Sequence, residues 1–434
     1  MNSTLEMLYQ PLGGLMTYPS KLPQCAGDPQ YNIFSCGLGD LNNVALFNNR
    51  NSGLSMKLDG AGGDTKSGLA KTKAIAETLE RYCSCTYTAD QFIVASADEL
   101  GSDALDLESI PVLSDQEYAY PNCPLIRPDK SQKIRWVKGI SLTSQKPLYI
   151  PAIMTYLHIP YMNNSERFWL PISTGCAIHM NFEKALINGI NEVVERDAIS
   201  LTWLNELPLR KLEIRTDALP EWCLDYYNRT ANNPFIQTYY FDATTDLGIP
   251  SIYSLQISEH NRKVAAMVMC TTELDPLIAF SKITREAASL RIALQNRQPD
   301  KTVLDQFHEV TDGALYMGHP SQLDSFNFLR NTKDEKSLTD MRNLSTGSDK
   351  EDLNNLIQIL QEKGHEIFAV DITSDEAKRA GMSAVRVIIP TLQPLSFFYR
   401  AQFKGSTRLY DGPEKMGYAR KTEEQLNQKP QPFA

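Results

Sequence analysis

The chain has 434 residues, of which 42 % are hydrophobic and 22 % are charged, the balance of an ordinary soluble protein. Its formal net charge of −9 and its lack of clustered lysine and arginine argue against a nucleic-acid surface. The start of the chain lacks the basic and apolar regions of a signal peptide, and the longest apolar stretch, 264–270, is too short to cross a bilayer. We therefore expect a cytoplasmic protein that does not enter a membrane, and its eight scattered cysteines are typical of reduced thiols.

The first half of the chain predicts two long helices separated by short strands. The first fifty residues are rich in Gly, Pro and Asn and are expected to form irregular structure with short strands. The sequence Gly-Ala-Gly-Gly-Asp at 60–64 is expected to form a flexible loop before a helix at 67–85. Residues 86–170 mix short strands with proline-marked turns. A second helix is expected at 181–205, with Asn181 as its N-cap.

The second half predicts a mixed α/β architecture. Apolar stretches at 235–242, 250–257 and 263–272 favour an antiparallel meander, and a third helix is expected at 277–295. The polar segment 331–352 is predicted to be an exposed loop. A helix at 353–363, a strand at 366–372, a short helix and a strand at 384–389 follow, and this order favours an α/β fold. The polar tail, 421–434, ends in Pro-Gln-Pro-Phe-Ala and is expected to be extended.

Two of the predicted helices carry the same pattern, I-x-E-x-(L/V)-E-R. Its glutamates are Glu77 and Glu80 in the first copy and Glu192 and Glu195 in the second. Positions i and i+3 of a helix point the same way, so each helix offers two carboxylates on one face. One interpretation is two solvated faces in which glutamates pair with the arginine that follows.

The other interpretation is a metal-binding cleft, and the residues alone leave both open. The acidic face of the second helix also carries Ile199 and Trp203, which a purely solvated face would avoid. Carboxylates that line a cleft need a compensating charge, and Mg²⁺ ions that bridge to a triphosphate would supply it.

Longer blocks around these helices resemble the YcaO family across nearly the whole chain. Segment 68–82 resembles the family's first helix, which ends G-E-A-x-E-R-Y. Segment 173–198 resembles the block S-N-G-x-A-x-G-N…E-A…G…E-x-x-E-R-D-A. Segments 279–291, 386–395 and 413–417 match further blocks, and the ending at 430–434 resembles the P-x-P-x-P of azoline-forming members.

The resemblance implies a single catalytic domain over 1–434, with an ATP-binding α/β fold whose nucleotide lies in a helix-lined cleft. By resemblance, the four glutamates would hold Mg²⁺. The other implied nucleotide-binding residues are Arg291, which matches an arginine near the phosphates, Ser173, Asn181 and Lys66. In the peptide-modifying members a Cys, Ser or Thr side chain attacks a backbone amide, ATP phosphorylates the amide oxygen, and loss of phosphate leaves a thiazoline or oxazoline.

The chain departs from the family pattern at five positions. Glycine replaces a lysine, methionine an asparagine, lysine a glutamate, serine a glutamine and alanine the terminal proline; these are Gly63, Met180, Lys184, Ser289 and Ala434. Lys66 is near enough in sequence to replace the missing lysine. Methionine cannot ligate Mg²⁺ and lysine would repel it, so Lys184 is either a solvent-facing residue or a phosphate contact.

These features predict an ATP-dependent cyclodehydratase subunit that acts on a ribosomally made precursor peptide, as in bacteriocin biosynthesis. A separate leader-binding or ubiquitin-activating-like protein is an expected partner, and a flavin dehydrogenase that oxidises azolines is a further candidate. A homodimer is left open, and no general base is assigned. Two alternatives remain: a YcaO enzyme that makes thioamides or amidines, and a catalytically weakened docking scaffold. The proline-rich tail favours azolines.

Overall fold

The computed structural model describes residues 3–9, 14–38, 58–297 and 301–434. Within the predicted irregular region of the first fifty residues, residues 1–2, 10–13 and 39–50 therefore lie outside the described residues. The strands are β1 (Ser20–Lys21), β2 (Asn32–Gly37), β3 (Asp59–Asp64), β4 (Phe92–Ala95), β5 (Ile134–Ser141), β6 (Pro147–Pro151), β7 (Cys176–His179), β8 (Arg210–Glu213), β9 (Gln237–Asp242), β10 (Ser251–Ile257), β11 (Ala266–Thr272), β12 (Glu335–Ser337), β13 (Phe368–Asp371) and β14 (Ser383–Ile388).

The helices include the three long ones that the sequence predicts. They are α1 (Ser3–Glu6), α2 (Ser67–Cys85), α3 (Ala97–Leu100), α4 (Asp115–Tyr118), α5 (Ala152–Thr155), α6 (Phe182–Asn205), α7 (Glu221–Ala231), α8 (Pro276–Gln295), α9 (Asp312–Met317), α10 (Asn327–Arg330), α11 (Asp349–Glu362), α12 (Asp375–Arg379) and α13 (Arg408–Lys415). The predicted bounds of α2 are confirmed, and those of α6 and α8 differ by one residue at the start.

Three sheets organise the described part of the chain, and mixed α/β architecture is confirmed. The first has the order β1-β2-β3, and the second has the order β11-β10-β9-β8-β12. The third has the order β4-β5-β13-β14-β7, with β6 paired to β5. The predicted meander is the antiparallel group β9-β10-β11. The strands on either side of α12, β13 and β14, pair antiparallel, whereas β8 and β12 pair parallel.

The glycine-rich segment 60–64 is a strand, so the expectation of a flexible loop is wrong. It pairs with β2 and lies directly on α2. A Cβ atom on Gly60 would come within 2.4 Å of the Thr78 nitrogen, and one on Gly62 would come within 2.3 Å of the Ala70 oxygen. The glycines are therefore required because the backbones of β3 and α2 approach so closely.

Helix α6 lies at the centre of the molecule, which explains why it is apolar on more than one side. Its first half packs with β14, β7 and α11, and its second half packs with β11 and α13. Both Ile199 and Trp203 are fully buried. Asn181 caps the helix as predicted, since its side chain accepts a hydrogen bond from the Lys184 N–H. Helix α2 lies on the first sheet and reaches β7, while α8 covers β10 and β11 and reaches β3.

Two segments that looked polar in the sequence are partly buried. Segment 331–352 contains the strand β12, and Leu338 and Met341 within it are buried, so it is only partly an exposed loop. The tail is extended after a short 3-10 turn at Glu423–Gln425, but Phe433 near its end is only 1 % exposed. Among the described residues, no helix is long and apolar enough to cross a membrane.

Candidate active site

The first glutamate of the α2 pattern is held from two sides. Glu77 accepts a hydrogen bond from the Ala61 N–H of β3 at 2.9 Å and another from the Arg81 guanidinium at 2.9 Å. The close approach of β3 that its glycines allow is what brings this N–H to the helix. The ion pair at i and i+4 is the one expected for a solvated face, but here it faces a strand.

The first glutamate of the α6 pattern is held in the same way. Glu192 accepts a hydrogen bond from the Gly175 N–H at 3.0 Å and from the Arg196 guanidinium at 3.1 Å. Gly175 has φ +84°, and a Cβ atom there would come within 2.1 Å of the Val387 oxygen. Only glycine fits this position, so the turn before β7 is built to present its N–H to the helix.

The second glutamate of α2, Glu80, is partly buried and differs from Glu77 in its contacts. Within the described ranges its carboxylate forms no hydrogen bond and no ion pair. Burial raises its pKa, and the negative charges of Glu192 and Glu77 raise the pKa further. Carboxylates of the two helices are therefore close enough for their negative charges to repel one another, and a cation would stabilise them.

The second glutamate of α6, Glu195, is 5 % exposed and accepts a hydrogen bond from the Thr272 N–H at 3.1 Å. Burial raises its pKa to about 7. The positive charge of Lys282 opposes this shift, whereas the negative charge of Glu286 adds to it. The carboxyl group is thus protonated in a large fraction of molecules at neutral pH when no cation is bound.

Helix α8 contributes charged residues to which the sequence interpretation assigned no role. Lys282 forms an ion pair with Glu273 at 3.1 Å. Burial lowers the pKa of Lys282, but the carboxylates of Glu273, Glu286 and Glu195 outweigh it and raise the pKa. Lys282 and Glu286 are four residues apart and so share a helix face. That spacing is the signal in the sequence that could have identified them.

A basic region lies at the start of α2. Asp64 accepts hydrogen bonds from the Lys73 ammonium at 2.6 Å and from the Lys66 N–H at 3.0 Å. Burial disfavours the Asp64 anion, but these bonds and the nearby charge of Arg285 outweigh it and lower its pKa. A side chain on Gly63 would point at the backbone of Arg285, 3.4 Å away. Arg285 therefore brings positive charge near the place where the family has its lysine.

The other residues predicted from the resemblance are dispersed. Lys66 is exposed at the N-cap of α2, and Asn181 is exposed at the N-cap of α6. Ser173 is half-buried and accepts the Cys176 N–H on its carbonyl at 2.8 Å. Met180 is 59 % exposed. Burial raises the pKa of Glu273, but the positive charges of Lys282 and Lys184 outweigh it and lower that pKa.

Arg291 is fully buried beside strand β10, apart from the four glutamates. Its guanidinium donates to the Gln256 side chain at 3.1 Å and to the Val264 carbonyl at 3.3 Å. Burial lowers its pKa to about 10. These contacts tie α8 to its sheet.

The C-terminal tail ends against the α6 arginine. The ring centroid of Phe433 is 4.7 Å from the guanidinium carbon of Arg196, at cation–π distance. Upstream, the Asn427 N–H donates to the Leu204 carbonyl at 2.8 Å. Gly313 approaches the tail so closely that a Cβ atom added to Gly313 would lie 2.1 Å from the main-chain oxygen of Gln431. The tail is therefore packed along α6 up to the residue that holds Glu192.

The carboxylates fit Mg²⁺ in the company of another ligand. In the described part of the chain, no three side chains of His, Cys, Asp or Glu converge closely enough to hold a metal by themselves. Mg²⁺ usually takes one or two carboxylates and completes its shell with phosphate oxygens and water. Glu80, a carboxylate without a partner among the described residues, is suited to such a shared ion.

Comparison with known proteins places the chain in a family that binds ATP and Mg²⁺. The sequence model of the family described as YcaO cyclodehydratase, ATP- and Mg²⁺-binding, matches residues 61–393. An uncharacterised protein of Methanothermobacter thermautotrophicus is 25 % identical over 329 residues, which are 75 % of this chain and 79 % of that protein.

Several solved structures share the fold. A heterocyclase in complex with substrate and cofactor superposes with a TM-score of 0.79 at 24 % identity, over 99 % of this chain and 56 % of that one. YcaO from Methanopyrus kandleri, bound with AMPPCP and Mg²⁺, superposes with a TM-score of 0.60 at 18 % identity, over 86 % of this chain and 85 % of that one. The chain thus spans about half the length of the heterocyclase. The family model matches most of this chain, residues 61–393, and this match shows that the chain belongs to the YcaO family of ATP- and Mg²⁺-binding cyclodehydratases.

Proposed function

We propose that this chain is the cyclodehydratase subunit that forms thiazolines or oxazolines from Cys, Ser or Thr residues of a ribosomal precursor peptide. The observation that carries the proposal is the proximity of Glu80 on α2 to Glu192 on α6. Burial raises the pKa of Glu80, and the negative charges of Glu192 and Glu77 raise it further. Burial also raises the pKa of Glu195, to about 7. Such a concentration of negative charge is costly without a divalent cation.

The proposed division of labour follows the contacts. Glu77, Glu80, Glu192 and Glu195 would hold Mg²⁺. Glu77 and Glu192 are oriented by their arginines and by strand or turn N–H groups. The oxygens of Glu80 have no hydrogen-bond partner among the described residues and would be available to a shared ion. Bound Mg-ATP would supply the phosphoryl group that converts an amide oxygen into a good leaving group.

Positive charge on α8 and α2 would face the polyphosphate. Lys282 is held between carboxylates with a raised pKa, so it remains charged. Lys73 and Arg285 lie near Asp64, and burial and the charge of Arg285 lower the pKa of Lys73. Fixed charges of this kind position the phosphates and neutralise charge in the transition state, which is the main task in phosphoryl transfer.

We also propose a leader-binding partner and a cytoplasmic location. The heterocyclase that was solved with its substrate is almost twice as long as the part that this chain matches. The work of the remaining part would fall to polypeptide outside these 434 residues. ATP is available in the cytoplasm, where thiols such as the eight of this chain stay reduced.

A reconstituted reaction followed by mass spectrometry tests the proposal. The chain, Mg-ATP, a precursor peptide and its leader-binding protein are incubated, and the peptide mass is followed. Loss of one water for each modified residue is expected, and Glu195→Gln abolishes it. Exchange of oxygen for sulfur would instead identify a thioamide-forming enzyme, and an unchanged peptide mass with full Mg-ATP binding would contradict the proposed activity.

A further inference from the structure

Strands β8 and β9 pair over only two residues and then separate. Their partners are Arg210 with Asp242 and Lys211 with Phe241. Beyond this point, residues 212–213 pair only with β12, and residues 237–240 pair only with β10, in the part of the chain that the structure describes. Each strand therefore presents one edge to the gap whose main-chain groups have no ladder partner, which is an arrangement that accepts another strand.

The gap is a real cavity of about 490 Å³, which is within the range of roughly 300–1,000 Å³ typical of ligand sites. Side chains from both faces of the sheet line it. Leu212 and Tyr240 belong to the core on the α7 and α8 side, whereas Tyr239 packs with the core on the opposite side. An inserted strand would need walls on both sides of the sheet, because its own side chains alternate between them.

Two polar features of the wall indicate the chemistry of the occupant. The hydroxyl of Thr238 is buried and forms no hydrogen bond within the described residues. Glu213 and Glu335 are exposed at the rim, and neither has an ion-pair partner among the described residues, while the one lysine there, Lys211, lies 5.9 Å from the Tyr239 ring. A basic residue in the occupant would balance this excess negative charge.

We infer that an extended, basic segment of the substrate peptide adds to the second sheet as a strand between β8 and β9. The assignment of this segment to the substrate peptide rests on the proposed function. A link to the catalytic cleft favours the substrate as that source. The rings of Tyr240 and Tyr227, which line the gap, lie 4.9 and 6.3 Å from the ring of Phe280. Phe280 is on α8, two residues before Lys282, so the occupant would lie against the helix that carries the cleft lysine.

Peptide binding tests the inference without a known precursor. The probe is a short fluorescent peptide of alternating valine and lysine, and its matched control is the same peptide with alternate backbone nitrogens methylated. Methylation removes main-chain donors and leaves the side chains intact, so only strand addition distinguishes the two. We expect the unmethylated peptide to bind the full chain at least about tenfold more tightly, a difference of about 1.4 kcal/mol.

Two variants of α7 locate the site. Ala231→Trp fills the gap, whereas Asn228→Trp places the same ring on an exposed position of α7 outside it. Ala231→Trp should weaken peptide binding at least about tenfold, and Asn228→Trp should not. Thermal melting of both variants checks that they fold. As a variant with little risk to folding, Glu213→Lys should weaken the lysine probe and favour a glutamate version of it.

Equal binding of the methylated and unmethylated peptides, equal binding by the two tryptophan variants, or no saturable binding to the wild type would each overturn the inference. Mg-ATP binding is measured in the same samples. Peptide binding without Mg-ATP binding would contradict the proposed function alone, and Mg-ATP binding without peptide binding would contradict only this inference. With a precursor peptide, Ala231→Trp should raise KM and leave kcat unchanged; a fall in kcat alone would rule out the substrate as the occupant.

Discussion

Phe433, one residue from the end of the chain, lies with its ring 4.7 Å from the guanidinium carbon of Arg196. Arg196 in turn donates to Glu192 at 3.1 Å. The end of the tail is therefore two contacts away from a carboxylate that we propose to bind Mg²⁺. A cation–π contact contributes about 0.5–1 kcal/mol at an exposed site and about 2 kcal/mol or more when it is desolvated, enough to bias the position of the arginine.

Replacing Phe433 should affect the cleft through Arg196. Phe433→Leu keeps an apolar side chain in the same core but removes the aromatic face, so we expect little change in the free energy of unfolding and a loss of about three- to tenfold in Mg-ATP affinity. Phe433→Ala also leaves a cavity and should destabilise the chain by up to about 3–5 kcal/mol. Calorimetry and urea denaturation measure the two effects. Unchanged Mg-ATP affinity in Phe433→Leu would show that the contact is only structural.

The glycines of β3 provide a test of the backbone geometry that holds Glu77. Gly62→Ala would place a Cβ atom 2.3 Å from the Ala70 oxygen, so β3 must move away from α2. We expect a loss of stability of at least about 1–3 kcal/mol together with weaker Mg-ATP binding.

Gly68→Ala is the matched control for this change. Gly68 is on α2, but nothing lies within 4 Å of its added Cβ atom, and alanine favours a helix by up to about 1 kcal/mol. It should therefore stabilise the chain slightly, as measured by thermal denaturation. Equal effects of the two substitutions would contradict the close packing of β3 on α2.

Stability should depend on pH through Glu195. Its pKa is about 7 in the folded chain against an ordinary value of 4.5, so the folded state binds the proton more tightly than the unfolded state. The contribution of this group is therefore favourable below pH 4.5 and is lost as the pH rises to about 7, at a cost of about 3 kcal/mol.

Glu195→Gln removes this titration. Without Mg²⁺, the variant should be more stable than the wild type at pH 8, and the difference should shrink toward pH 5. Urea denaturation in the presence of a chelator measures it, and Glu259→Gln, on an exposed loop, controls for loss of one negative charge. A difference that does not vary with pH would refute the raised pKa.

The charge of Lys282 should set the pH range of ATP binding. Its ammonium opposes the rise in the pKa of Glu195, so Lys282→Met should raise that pKa further. Because a carboxylate must be ionised to bind a cation, the variant should lose more Mg-ATP affinity at pH 7 than at pH 9. Lys138→Met, at an exposed position of β5, should leave the pH profile unchanged. The same loss at both pH values would indicate only a lost phosphate contact.

Local patterns predict the helices and the central strands well. The apolar spacing of α2 and α6 and the N-cap Asn181 are determined by short stretches of chain, so their bounds could be predicted. The strand at 59–64 could not, because its glycines are required by the close approach of the α2 backbone, and the local pattern of residues does not indicate that the next helix folds back onto this segment. A run of glycines without such a partner is typical of a loop.

Part of the candidate site could be predicted because it lies in short sequence motifs, whereas the rest depends on contacts between separate elements. Glu77, Glu80, Glu192 and Glu195 stand in a repeated motif, whereas the role of Lys282 depends on carboxylates from other elements. Arg291 occurs in a matching motif, yet it is buried with Gln256 and Val264. The burial of Phe433 likewise depends on a path of the tail along α6 that its polar composition does not indicate.

Calorimetric titration of Mg-ATP into the wild type and Glu80→Gln shows whether the carboxylates of α2 and α6 hold Mg-ATP. Glu80 has no partner among the described residues, so the substitution breaks no contact there and leaves the fold intact. We expect the wild type to bind Mg-ATP and Glu80→Gln to lose about a hundredfold in affinity, about 3 kcal/mol, while Glu259→Gln binds like the wild type. Equal affinity of Glu80→Gln and the wild type would contradict the claim that these carboxylates hold Mg-ATP.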